Sequence, residues 1–161
     1  MGSNTLGGYN GRLLRVNLSD RKISIDEPPA DYFQRYLGGR GFIVTTLLKE
    51  VAGGIDAFGP ENKLIFALGP LTGMPLMGTG RNSVGAKSPL TGAFGEAEAG
   101  GFWGAELKKA GFDVLVFVPS IDEENGCVIL RRITFTRAND GNPSLAFLYA
   151  IFSLPTTGTK L

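Results

Sequence analysis

Between Gly69 and Gly92 the chain reads GPLTGMPLMGTGRNSVGAKSPLTG, 24 residues with six glycines and three prolines. No helix can run through such a stretch, because proline removes a backbone donor and each glycine costs roughly 1 kcal/mol against alanine in a helix. Any fold must therefore carry a long open backbone through its middle, with room for one strand at NSVGAK (82–87). Pro-Leu-Thr-Gly occurs twice, 19 residues apart, and both copies read as turns. The segment holds one arginine and one lysine, and no acid, histidine or cysteine.

Two uses of that backbone stand open. One is a long surface loop containing a β-hairpin. The other is an anion-binding wall, in which bare glycine N–H groups approach a phosphate and Arg81 forks onto its oxygens. The wall is not a P-loop, since Gly-x-x-x-x-Gly-Lys-Ser/Thr is absent. Nor is it a dinucleotide fingerprint: Gly78-Thr79-Gly80 lacks the third glycine in register and opens no amphipathic helix.

The rest of the composition narrows the classes. At 161 residues with 43% hydrophobic and 19% charged side chains, the chain can bury a core and is one domain by length, two at most. The 24 glycines follow no strict period, which excludes collagen. A formal charge of +1 argues against a nucleic-acid surface. The lone Cys127 excludes an internal disulfide and fits a reducing cytoplasm; with no histidine, imidazole-based triads and the usual zinc sites are absent. One cysteine cannot hold an iron–sulfur cluster, which takes four thiolates. MGSNTLGGYN has neither a basic nor an apolar signal region and lacks the myristoylation pattern. The longest apolar run, LAFLYAIFSL (145–154), is too short to span a bilayer.

Periodicity predicts a hairpin from GRLLRVNLSDRKISIDE, with Leu14, Val16 and Leu18 alternating and Ile23 and Ile25 on the return. A helix is expected from Pro29, with Phe33, Tyr36 and Leu37 as its apolar stripe and Gly38-Gly39 as its end. GFIVTTLLKEV (41–51) is a second helix, KLIFAL (63–68) a short buried strand, GAFGEAEAGG (92–101) an extended segment and GFWGAELKKAG (101–111) a third helix. DVLVFV and GCVILRR read as strands joined by the acidic turn SIDEENG. From Phe135 the character changes, so the reading divides into a domain over 1–134 and a tail over 135–161. The apolar block of the tail is either a terminal helix or no part of the fold.

Three further features have two readings each. Gly100 and Gly101 either precede a packed helix whose Trp103 fills the core, or offer free N–H groups to a phosphate at its start. Arg40 in LGGRG is either a solvated arginine in a helix–helix turn or an anion contact. Glu96 and Glu98 share one strand face, either as a working carboxylate pair or as solvated side chains; with no histidine or metal cluster beside them they are expected to face solvent. Cys127 reads as an inert buried thiol, and Arg131-Arg132 is too short for a nucleic-acid patch.

The segments NGRLLRVNLSDRKI, YLGGRGF, GPENKLIFALGPLTG, GTGRNSVGAKSPLTG and GGFWGAELKKAGFDVLV follow one another in this order. Together they resemble the N-terminal domain of the tungsten-containing aldehyde ferredoxin oxidoreductase family, over about Gly8 to Val118. The resemblance implies an α+β saddle of β-sheets with a few short helices, on which a tungsten (or molybdenum) bis-pterin lies. It implies oxidation of aldehydes to carboxylic acids, with electrons passed through a 4Fe-4S cluster to ferredoxin. By position Arg81 meets the polar groups of the cofactor, and Gly100 and Gly101 line the pterin. Two residues before Gly100, well-known members have asparagine, whose main-chain carbonyl helps hold a magnesium ion bridging the pterin phosphates. This chain has Glu98 there, and a main-chain ligand tolerates a changed side chain.

Family members are several times longer, and their cluster cysteines and proton-handling residues lie beyond the matched region. The resemblance therefore implies a cofactor-binding domain, catalytically silent alone, that docks to further domains or self-associates. A standalone pterin- or phosphate-binding module, an accessory subunit and a truncated gene product are the alternatives.

Overall fold

The computed structural model describes residues 7–20 and 22–118, and the backbone alone of 130–137 and 146–152. Strands β1 (Leu13–Asn17) and β2 (Lys22–Asp26) form the expected hairpin, with Leu14 opposite Ile25 and Val16 opposite Ile23. Helices α1 (Ala30–Tyr36) and α2 (Arg40–Glu50) follow, then β3 (Leu64–Leu68), β4 (Asn82–Lys87), β5 (Phe94–Ala99), α3 (Trp103–Lys109) and β6 (Val114–Val118). The six strands make one sheet in the order β2-β1-β6-β3-β4-β5. Only β1 and β6 pair in parallel; the other neighbours are antiparallel. The architecture is a mixed α+β fold.

Successive side chains of a strand point to opposite faces, so each central strand serves two cores. Leu13, Ile65, Ala67, Val114 and Val116 meet Phe33 of α1 and Phe42, Ile43 and Leu47 of α2. On the other face Leu14, Val16, Leu68, Leu115 and Phe117 meet Leu107, Ala110 and Phe112 at α3. This double burial explains why β6, VLVFV, is apolar at every position. β2 differs. It is an edge strand, and Ile23 and Ile25, although they alternate as expected, are exposed.

Strands β7 (Leu130–Arg137) and β8 (Ala146–Phe152) form a separate antiparallel pair. The apolar block of the tail therefore contains a strand, not the helix that was one of its two readings. Its β-branched and aromatic side chains suit a strand. Cys127 and the whole acidic turn (120–126) lie outside the described residues.

The α1–α2 connection departs from expectation. α1 ends on Leu37 itself, which takes φ 59° and ψ −32°, while the Gly38 N–H donates to the Tyr36 carbonyl at 2.7 Å. This is a three-residue turn of the rare positive-φ kind, a conformation costing about 1–3 kcal/mol for a residue with a side chain. Leu37 consequently leaves the apolar stripe of Phe33 and is exposed. The chain then presses close: a Cβ at Gly41 would stand 2.0 Å from the Tyr36 carbonyl oxygen. Gly41→Ala should therefore destabilise the domain by about 1–3 kcal/mol, read as a lower urea midpoint with an unchanged slope.

Candidate functional site

The loop from Gly69 to Arg81 is closed on itself. The Gly69 N–H donates to Thr72 Oγ1 at 3.0 Å, and that hydroxyl donates to the Arg81 carbonyl at 3.1 Å. The Gly73 N–H reaches the Thr79 carbonyl at 3.0 Å, and Thr79 Oγ1 lies within 2.7 Å of the Met74 carbonyl and 2.9 Å of that of Leu76. Some glycines of the stretch serve packing. A Cβ on Gly73 would press on Ala105 at 3.2 Å, one on Gly80 would meet the Gly101 carbonyl oxygen at 2.6 Å, and one on Gly85 would meet Ile43 at 2.7 Å. Gly78 differs, with φ 84° and nothing within 4 Å of its Cβ direction.

Between this loop and the α1–α2 connection lies a groove of about 570 Å³. Leu37, Gly38, Gly39 and Arg40 form one lip, Gly69–Thr72 and Met77–Thr79 the other, and Ala67, Asn82 and Ser83 the floor. Arg81 and Glu98 also line it. The strand register brings the carboxylates here: Glu98 is opposite Ser83 and Glu96 opposite Gly85, and Gly39 and Ile43 stand over Ser83 and Gly85.

Each arginine of the groove is held by one carboxylate of β5. Arg81 Nη1 donates to Glu98 Oε2 at 2.9 Å, and both side chains are largely open to solvent. Arg40 Nε donates to Glu96 Oε2. The Glu96 side chain is only 12% exposed, and its Oε1 is buried without a partner. The expectation that Glu96 faces solvent is thus overturned, because the start of α2 covers it. Arg40 is solvated in part, but it is an ion-paired groove residue. Its only signal in the sequence was the flanking glycines, which the turn alone accounted for.

Arg81 and Glu98 therefore meet at one groove. Gly100 and Gly101 do not line it; they follow β5 and precede α3, and Gly101, at φ 99°, backs onto Gly80. α3 has seven residues and no side-chain cap. Among the described residues no group of three or more His, Cys, Asp or Glu side chains could hold a metal, and no helix is long and apolar enough to cross a membrane.

Behind the groove sits a buried ion pair that spacing did not signal. Asp113 is fully buried and accepts from Lys108 Nζ at 2.5 Å and from the Asn10 and Gly11 N–H groups at 2.8 Å each. Lys108 Nζ also donates to the Gly69 carbonyl at 3.2 Å, on the groove's lip.

Comparison with known proteins identifies the family. The protein from Pyrococcus horikoshii described as a tungsten-containing aldehyde ferredoxin oxidoreductase is 51% identical over 109 residues, 68% of this chain and 18% of that protein. A Pyrococcus furiosus protein described as an aliphatic sulfonate oxidoreductase, WOR-like subunit, is 37% identical over 112 residues, 67% of this chain and 18% of its own length. Among solved structures, the active-site complex of benzoyl coenzyme A reductase with 1,5-dienoyl-CoA superposes with a TM-score of 0.67 at 37% identity. It covers 69% of this chain and 17% of that one. The chain thus spans less than a fifth of the length of these relatives. The family model described as the aldehyde ferredoxin oxidoreductase N-terminal domain matches residues 13–139. With that match running from β1 through β7, the chain belongs to the aldehyde ferredoxin oxidoreductase family and carries its N-terminal domain.

Proposed function

We propose that the domain holds one side of a tungstopterin in an oxidoreductase that converts aldehydes to carboxylic acids. The observation that carries this is the groove, where glycine backbone and two guanidinium groups border open space. The residues fit a flat, phosphorylated group. Arg81 offers a bidentate, permanently charged donor. Leu37, Leu71 and Met77, all exposed, offer apolar surface to a ring. Glu98 would offer its main-chain carbonyl to the cofactor's magnesium ion, and its exposed pair with Arg81 would yield the guanidinium to a phosphate. Gly100 and Gly101, which lie beside the groove and not in it, would present bare backbone to the rest of the pterin. The relatives support a cofactor role: they are named for an aldehyde, a sulfonate and a benzoyl thioester, yet share this domain.

When bound, the tungsten would supply the redox chemistry at the carbonyl carbon. These 161 residues would bind, orient and shield the ligand. They contain one cysteine where a 4Fe-4S cluster takes four thiolates, so the cluster that passes electrons to ferredoxin would be held by parts of the family outside them. We place the enzyme in the cytoplasm, docked to those parts or self-associated.

Calorimetric titration of a phosphorylated pterin into the chain tests the reading: saturable, salt-sensitive binding is expected, and none would refute it. Protein expressed with tungstate and iron should carry neither metal in stoichiometric amount. Stoichiometric iron by metal analysis would show that a cluster site has been overlooked.

A further inference from the structure

We infer that the N-terminal segment Gly8–Gly11 is a strap that sets the shape of the groove, with the Tyr9 hydroxyl as its positioning group. What the groove holds rests on the cofactor reading; the strap does not.

The strap touches both lips. Tyr9 Oη donates to the Leu37 carbonyl at 2.7 Å, and Leu37 is the one described residue other than glycine with positive φ. A leucine does not hold that conformation by preference, so something outside α1 must select it. The Tyr9 ring is fixed for the task against Phe33, at 5.3 Å between centroids, and beneath Lys108 Nζ, 5.3 Å from its own centroid. The same Lys108 donates to the Gly69 carbonyl on the opposite lip. Gly8 packs so near that a Cβ there would stand 2.9 Å from the Pro70 carbonyl oxygen. Asn10 anchors the strap by donating Nδ2 to the Lys108 carbonyl at 2.8 Å and its N–H to Asp113. Partial burial, and then the charge of Asp113, raise the Tyr9 pKa, so the phenol keeps the proton it donates.

Without the hydroxyl, Leu37 is free to return to a right-handed conformation. Gly38, Gly39 and the root of Arg40 would move with it. Tyr9 touches no ligand in this scheme and acts through Leu37.

The test uses the full chain, the variant Tyr9→Phe, and inorganic pyrophosphate as probe. Hydrogen exchange of the Gly38 amide, which closes the Leu37 turn, should speed up about threefold to tenfold, the worth of one ordinary hydrogen bond. Exchange in β3 and β6 should be unchanged, and pyrophosphate affinity should fall by a similar factor. Adding Leu37→Gly to Tyr9→Phe should restore affinity to within about twofold, because glycine takes positive φ without a Cβ penalty. Unchanged Gly38 exchange would overturn the inference, as would acceleration spread evenly over the domain or failure of the rescue. If wild type does not bind pyrophosphate while Gly38 exchange responds as expected, the strap stands and the phosphate reading of the groove falls.

Discussion

Replacing Asp113 by alanine should destabilise the domain by about 3–5 kcal/mol, the range for removing one partner of a buried ion pair. The carboxylate is completely buried, and Lys108 beside it is 14% exposed, so the abandoned ammonium could not simply hydrate. Two backbone donors, of Asn10 and Gly11, would lose their acceptor at the same time. Total stabilities of about 5–15 kcal/mol leave such a variant close to unfolding, so the measurement belongs at low temperature in a urea titration. Asp113→Asn keeps an oxygen for the N–H groups but not the charge, and its loss should be smaller. A loss below about 1 kcal/mol for Asp113→Ala would show that water replaces the carboxylate, and that the pair lies nearer solvent than its burial indicates.

Arg81→Ala should weaken binding of a phosphorylated pterin on the order of tenfold to a hundredfold, since a hydrogen bond to a charged group contributes roughly 1.5–3 kcal/mol. Its pair with Glu98 does not stand in the way. Both side chains are exposed, and such pairs contribute about 0–1 kcal/mol, so a phosphate can take over the guanidinium. Folding stability should hardly change. Lysine should replace Arg81 poorly, because an ammonium cannot make two parallel bonds to phosphate. Arg40→Ala should behave in the opposite way. It strips the cation from the largely buried Glu96, so the loss should appear mainly in stability and less in binding. Calorimetry and urea titration of both variants decide this. Equal binding losses, or a larger one for Arg40→Ala, would place the site on the wrong lip.

Much of the fold was legible because its cause is local. The alternation of Leu14 and Val16, the return of Ile23 and Ile25 and the β-rich composition of DVLVFV each act over a few residues, and they recur in β1, the first hairpin and β6. The glycines of the central stretch announced turns and close contacts, and both are present at Gly78, Gly80 and Gly85. Where local preference misled, a stronger constraint had been read in the wrong place. Gly38-Gly39 is the expected end of the first helix, and both glycines have positive φ, but Leu37 has it first and ends the helix.

The alternation of Glu96 and Glu98 was visible in FGEAEA, and so was the chance that Arg40 and Arg81 sit among glycines. Neither pattern says what lies above the strand. α2 begins 56 residues before Glu96, and only the folded sheet brings Arg40 over that carboxylate. Asp113 and Asn10 are 103 residues apart, and Tyr9 and Leu37 are 28 apart. The sequence by itself determined where the backbone turns, that KLIFAL makes a short buried strand and that an arginine stands among the glycines of the central stretch. The tertiary structure alone decided which carboxylate is buried, which arginine pairs with it and which residue holds the strained lip. Backbone preference and side-chain periodicity act within a few residues along the chain, whereas charge pairing and burial depend on what packing brings near from any distance.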